Sequence, residues 1–360
     1  MKTRAAVAWR ANEALEVVEV DLDPPGPGQI LVEMKATGLC RSDLSVIEGK
    51  VPRYPFPIVL GHEGAAIVLE CGEGVTDFTP GDLVVPSPIP QCGTCHLCRS
   101  GRTNVCTAQW VIPPSPLSFK GQRLSAFCGN ATFAEHAVID RNSLAKVNPA
   151  ASPIGACYVG CGVMTGIGSA LTTAAITAGS SVAIFGLGGI GLNVLQGARL
   201  AGARRIIGID LNPARESIGR EFGMTDFINP ADGSDAAKRV VQLTGGGADF
   251  TFDCVGSIEL HRQALEAAHP CWGRTVAVGI PGPGRPLELD ARLFTTGRTL
   301  TGSLLGGQRP KEAIPRLVDW YVEGYLKIDE LVSHRIGLDE INLGFEMMRS
   351  GEATRTVVVF

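Results

Sequence analysis

No stretch of this 360-residue chain approaches the run of ~20 apolar residues that a membrane-spanning helix needs. Low-complexity tracts and internal repeats are also absent, so nothing reads as a disordered arm or a solenoid. Positive charge is not in excess. The formal net charge is −4, which argues against a nucleic-acid partner, since that would favour a basic face. The first twenty residues, Met1 to Val20, alternate charged and apolar side chains and lack the apolar centre of a signal peptide. A cytoplasmic protein is therefore expected. Thiols are kept reduced there, so the eleven cysteines are expected as metal ligands or free thiols rather than disulfides.

The length is too great for one ordinary core and suits two domains. Glycine is abundant, 45 residues, as expected of an α/β protein with many tight turns. Residues 1–150 are rich in short β-like runs broken by Gly and Pro: Ala5–Trp9, Ile30–Thr37, Gly64–Glu70, Leu83–Pro86 and Phe133–Val138. They suggest an irregular, mostly antiparallel barrel. Near residue 163 the texture changes. Strands are expected at Ser181–Phe185, Arg204–Asp210, Asp226–Asn229, Ala248–Cys254, Arg274–Ile280 and Arg298–Ser303. Helical patterns at Ile190–Ala201, Pro213–Phe222, Ala236–Leu243 and Glu259–Ala268 lie between most of them. That alternation describes a doubly wound parallel sheet. Two more helical patterns follow, Lys311–Val322 and Asp339–Arg349, and then a strand, Thr356–Phe360, suited to rejoin the N-terminal barrel.

Gly186-Leu187-Gly188-Gly189-Ile190-Gly191 follows an apolar strand and opens a helix. A lone GxGxxG is a weak signal and is otherwise a glycine-rich turn, but here both flanks are right. Gly186 permits the tight turn, Gly188 lets the backbone approach a pyrophosphate, and Gly191 lets the helix pack on the strand. The helix N-terminus offers free N–H groups to the phosphates. Asp210, closing the second strand, is placed to accept hydrogen bonds from the adenosine ribose and to repel a 2′-phosphate. NAD is thus expected over NADP. Asp210 also suits a simple turn cap, but the glycine pattern favours the cofactor role.

Cys92-x2-Cys95-x2-Cys98-x7-Cys106 packs four thiols into one short lobe, the ligand count of a closed, structural zinc site. His96 lies inside the lobe, but four cysteines already saturate the metal. A zinc ribbon that binds nucleic acid is the competing reading, disfavoured by the acidic balance. A second set is dispersed: Cys40 in Gly38-Leu-Cys-Arg-Ser-Asp43, His62 in Gly61-His-Glu63, and Cys161 in Gly160-Cys-Gly162. Singly, each suits packing. Together they match a catalytic zinc that keeps a fourth position open.

In these motifs taken together, the chain resembles the zinc-dependent medium-chain alcohol dehydrogenases over essentially its whole length. The carrying segments are the two metal sets, Thr165-Gly166, the glycine loop, Arg204–Asp210 and the ending Gly351-Glu-Ala-Thr-Arg355-Thr356. The ending and Pro90-Gln-Cys92-Gly look closest to the class III, glutathione-dependent formaldehyde branch. The resemblance implies a GroES-like catalytic domain, residues 1–162 and 305–360, and a Rossmann NAD-binding domain, 163–304, with the active site in the cleft between them. It implies an oxidoreductase that uses NAD and two Zn2+ per chain, and a homodimer. By position, Cys40, His62 and Cys161 resemble the catalytic-zinc ligands, and Asp43 the carboxylate that orients the imidazole. Glu63 resembles the acid beside the metal, and Ser42 the hydroxyl that bonds the substrate oxygen. Arg41, Thr165 and Arg355 match cofactor contacts. Arg215 is placed toward the adenosine ribose, and Val278 and Ile280 toward the nicotinamide. Trp110, Phe127, Cys128 and Leu304 resemble pocket wall.

The chain departs from this pattern in two places. Ser45 stands where many relatives carry the histidine that ends the proton relay. The class III branch carries two acids before the Gly-His-Glu motif and an arginine four residues after the last lobe cysteine. Here those positions hold Val51, Arg53 and Trp110. The expected substrates are accordingly apolar primary alcohols, aromatic, allylic or long-chain, and their aldehydes. The alternatives are a class III dehydrogenase of S-(hydroxymethyl)glutathione, a zinc-free quinone reductase, and a non-enzymatic zinc-ribbon protein.

Overall fold

The computed structural model describes every residue but Pro283. The chain forms two compact units, Met1–Cys161 with Arg309–Phe360, and Gly162–Gln308.

The first unit is built around the strand Gln29–Gly38, most of whose residues are buried. Alternate side chains point to opposite faces. Leu31 enters one apolar cluster, while Ile30, Val32 and Met34 enter another with Ala66, Val68 and Val84. This strand pairs antiparallel with Glu63–Cys71, with His136–Asp140 and with the closing strand Thr356–Val359. Two register shifts, at Leu31/Val32 and Met34/Ala36, kink the first of these ladders. A second, six-stranded sheet is led by the hairpin pair Lys2–Ala8 and Glu16–Leu22. The closing strand does rejoin the N-terminal sheets, with Val357 opposite Gly38. Glu16–Leu22 was not expected: its acids at 16, 19 and 21 dilute the apolar pattern. It forms because Val20 and Leu22 are buried.

The second unit is a six-stranded, wholly parallel sheet. In spatial order its strands are Asp226–Ile228, Arg205–Ile209, Ser181–Phe185, Phe250–Asp253, Arg274–Ala277 and Thr299–Gly302. This is the doubly wound order, with the sequence reversing direction beside Ser181–Phe185. The helices Gly189–Leu200, Arg215–Glu221, Ala236–Thr244 and Ile258–Ala267 make the crossovers. Every expected strand is present, several trimmed by a few residues at their ends. Among the described residues no helix is long and apolar enough to cross a membrane.

Candidate active site

Register builds the first metal set. Gly38 pairs with Glu63 and Thr37 with Gly64, so the end of one strand delivers Leu39-Cys40 beside the His62-Glu63 that starts the next. A Cβ at Gly38 would overlap the Tyr158 ring and the Glu63 carboxylate, which is why that position takes no side chain. Cys161 arrives on a π-helical turn, Val159–Val163, a geometry often kept for functional positions. One ligand atom each from Cys40, His62, Glu63 and Cys161 fall within 4.8 Å of one another.

Asp43, fully buried, knits this cluster. Its Oδ2 accepts from the Cys40 N–H at 3.1 Å, and its Oδ1 accepts from the Gly61 N–H at 3.0 Å. The His62 Nδ1 lies 3.3 Å from the same Oδ1. A proton on Nδ1 facing the carboxylate leaves the Nε2 lone pair for a metal. Ser42 Oγ is 3.6 Å from the Cys40 sulfur, whereas Ser45 Oγ donates to the Arg41 carbonyl and is turned to its own helix. Arg41 is exposed at the start of that helix.

Glu63 is wholly buried. Oε2 lies 3.4 Å from Arg355 Nη1, while Oε1 has no hydrogen-bond partner among the described residues. Burial pushes its carboxyl up to about 8, against the opposing pull of Arg355. An orphaned buried carboxylate oxygen beside two thiols and an imidazole is a donor set short of a cation. The residues therefore fit a zinc ion. Arg355 is not free: it also donates to the Leu39 carbonyl and stacks over the Tyr158 ring, whose hydroxyl donates to the Thr356 carbonyl. The sequence reading missed Tyr158, because a buried tyrosine next to Cys157 carries no spacing signal.

The second set closes on itself. The sulfurs of Cys92, Cys95, Cys98 and Cys106 also fall within 4.8 Å of one another, and exposed His96 stands outside them. Backbone N–H groups of Cys95 and Cys98 donate to the sulfurs of Cys92 and Cys95, both at 3.4 Å. The Cys98 N–H, with Thr107, draws the Cys95 thiol down to about 5, favouring the thiolate that binds zinc.

In the parallel-sheet unit, Gly186 has φ +91°, and a Cβ at Gly191 would strike the Gly186 carbonyl. Gly188 precedes the helix Gly189–Leu200, with Ile190 in its first turn. Asp210 does two jobs at once. Its Oδ1 caps the turn through the Asn212 N–H, and its Oδ2 accepts from Leu187 N–H inside the glycine loop, each at 2.8 Å. Arg215 opens the helix that follows. Val278 is buried, but Ile280 is 79% exposed just beyond the strand Arg274–Ala277. Thr165 is buried in the helix Met164–Gly168, and Leu304 is half-exposed.

Of the pocket-wall residues in the first unit, Phe127 packs edge-on against the His62 ring at 5.3 Å and Cys128 faces the Tyr54 hydroxyl at 3.8 Å. Trp110 is 69% exposed, its ring beside the Arg53 guanidinium.

Residues 26–149 match the family model of the alcohol dehydrogenase GroES-like domain, and residues 189–323 that of the zinc-binding dehydrogenases. Over the full length of both chains the sequence is 44% identical to an alcohol dehydrogenase class-3 of Cereibacter sphaeroides. It is 43% identical to an S-(hydroxymethyl)glutathione dehydrogenase of Paracoccus denitrificans over all of both chains. Among solved structures, the benzyl alcohol dehydrogenase of Acinetobacter calcoaceticus superposes with a TM-score of 0.93 at 31% identity, over 100% of this chain and 99% of that one. With two metal sets and a dinucleotide-type glycine loop already in place, these matches close the argument: the chain belongs to the zinc-dependent medium-chain alcohol dehydrogenases, and its cofactors are NAD and zinc at two sites.

Proposed function

We propose that the enzyme interconverts a primary alcohol and its aldehyde, with Cys40, His62 and Cys161 holding the reactive zinc and Cys92, Cys95, Cys98 and Cys106 the structural one. The observation that carries this is the convergence of the three dispersed ligands on an imidazole whose Nδ1 faces Asp43. When bound, zinc supplies Lewis-acid polarisation of the substrate oxygen and NAD supplies the hydride acceptor. The chain supplies position and proton control. Asp43 holds the His62 ring in one orientation and one tautomer. Ser42, next to the Cys40 sulfur, is the hydroxyl placed to take the alcohol proton and pass it out to solvent water. Ser45 cannot finish that relay, being bound to the Arg41 carbonyl. Glu63, tied on one oxygen to Arg355, has no hydrogen bond on the other, which would be open to the zinc as a further ligand. Phe127 walls the imidazole from water. Gly186–Gly191 would cradle the pyrophosphate, and Asp210 would take the adenosine ribose.

On substrate, the full-length relatives support S-(hydroxymethyl)glutathione ahead of the apolar alcohols expected from Val51, Arg53 and Trp110. The apolar reading keeps one support of its own: the groove wall Val111–Pro116 is largely apolar and proline-rich, and the benzyl alcohol dehydrogenase fold lies close. NADH formation at fixed NAD decides, using the glutathione adduct beside benzyl and cinnamyl alcohols. If the adduct is the better substrate by kcat/KM, the class III reading stands. If benzyl alcohol is, the apolar reading does. Silence with every alcohol overturns both.

A further inference from the structure

The first unit contains a cavity of about 230 Å3 between the Tyr54 and Cys128 side chains and the wall Val111–Pro116. Cys40, His62 and Cys161 do not line it, but Tyr54, which does, is linked to His62 by two successive ring contacts. The Tyr54 ring packs edge-on against Phe127 at 4.8 Å, and Phe127 does the same against His62 at 5.3 Å. Arg53 lines the same cavity. Its guanidinium lies 4.9 Å from the Tyr54 ring centroid and 5.4 Å from that of Trp110, and one Nη donates to the Gln109 carbonyl. No carboxylate pairs with it among the described residues. Asp140, also on the lining, is exposed and occupied by the Asn142 N–H.

A guanidinium carries five donors along its edge. Two rings lie against it and one backbone carbonyl takes one donor, which leaves the remaining donors without a carboxylate partner among the described residues. Cation–π contacts of this kind fix the side chain, so little rotamer freedom remains to be lost on binding. The wall beside it, Val111–Pro116, is largely exposed, uncharged and stiffened by prolines, so it sets no competing charge against an anion.

We propose that Arg53 is an anion-binding residue of the substrate groove, selecting alcohols whose end remote from the hydroxyl carries a carboxylate. The inference rests on the dehydrogenase reading above and deepens it. The hydroxyl lies at the His62 end of the row of rings and the carboxylate at the Arg53 end. A carboxylate of a glutathione adduct and that of a simple aromatic hydroxy acid share this chemistry. The groove is therefore not uniformly apolar, as the loss of the class III charges at 51 and 110 had suggested.

The test compares matched pairs: 4-(hydroxymethyl)benzoate against benzyl alcohol, and S-(hydroxymethyl)glutathione against the adduct of glutathione diethyl ester. For wild type, kcat/KM should favour the anionic member of at least one pair by about tenfold or more, through KM, and the favoured pair identifies the source of the carboxylate. In Arg53→Leu that ratio should fall about tenfold, and Arg53→Lys should restore part of it. A ratio near one in wild type, or an equal fall for both members in Arg53→Leu, would mean that Arg53 only packs on its rings, and overturns the proposal. Calorimetric titration of the zinc-loaded enzyme with NADH present, where the alcohol cannot be oxidised, reads binding without turnover. Should no alcohol be oxidised, tighter binding of 4-(hydroxymethyl)benzoate than of benzyl alcohol, lost in Arg53→Leu, upholds the anion subsite while the dehydrogenase reading falls. Equal binding of the two alcohols overturns the subsite.

Discussion

Asp43 never reaches a substrate, yet three groups depend on its two oxygens: the Cys40 N–H, the Gly61 N–H and the His62 ring. Asp43→Asn keeps the size but removes the charge that holds the Nδ1 proton. Zinc affinity at the Cys40–His62–Cys161 site should drop by about 10- to 100-fold, read by competition with a chelator. An unchanged affinity would reduce Asp43 to a backbone brace. Asp210 is a second residue with two roles. Asp210→Ala should weaken NAD and raise the efficiency with NADP relative to NAD, while wild type strongly prefers NAD. Equal efficiency of wild type with both cofactors would remove the ribose role. Because Asp210 also holds the Leu187 N–H, the loss for NAD should exceed that of a lost ribose contact alone.

At the scale of elements, the four-cysteine lobe and the dispersed set should fail differently. A closed site contributes its binding energy to folding. Cys106→Ser should therefore lower the thermal midpoint more than it changes the chemistry of the folded fraction. His62→Ala should leave the midpoint near wild type and abolish turnover. The reverse pattern in a melting experiment would exchange the two assignments. The parallel sheet carries a pH dependence. Asp249 is partly buried, which alone would raise its carboxyl, but hydrogen bonds from the Ser181 N–H and Oγ and from Trp272 Nε1 hold it below the ordinary value of 3.8. A folded pKa below the unfolded one means that its stabilisation is complete above that ordinary value and is lost as pH falls through the folded one. Asp249→Asn should flatten the acid limb of the stability profile, as followed by circular dichroism. An unchanged limb would place the acid sensitivity elsewhere.

For the whole molecule, metal analysis should find two zinc ions per chain in active protein, and one or none would sink the two-site assignment. Legibility followed the range of the forces involved. The parallel sheet was readable because its strands are short apolar runs alternating with helical patterns, and the four-cysteine lobe because all its ligands fall within one short loop. Cys40, His62 and Cys161 were legible only as a set, since singly nothing local distinguishes each of them from a packing residue, and the resemblance then gave each its role. The π-helical turn under Cys161 and the strand Glu16–Leu22 escaped, the first because its geometry has no sequence period and the second because its exposed acids blur one. Arg53 was visible as a missing acid, but its stacking on Tyr54 and Trp110 is tertiary. The resemblance implies a homodimer, so sedimentation should show two chains per particle, and a single-chain particle would overturn that expectation.

The pairing of Val357 with Gly38, and of Arg355 with Glu63, also orders events in time. On the ribosome, residues 162–308 emerge as one uninterrupted stretch and can assemble as soon as they clear the exit tunnel. The unit that carries both zinc sites cannot, because its central strand waits for a neighbour, Thr356–Val359, made after the whole of 162–308. The four-cysteine lobe can take its metal early, being local. The site of Cys40, His62 and Cys161 is expected to mature only once Arg355 and Thr356–Val359 have cleared the tunnel. A chain stalled a few residues short of Thr356 should therefore hold one zinc and a folded nucleotide-binding unit, but no activity.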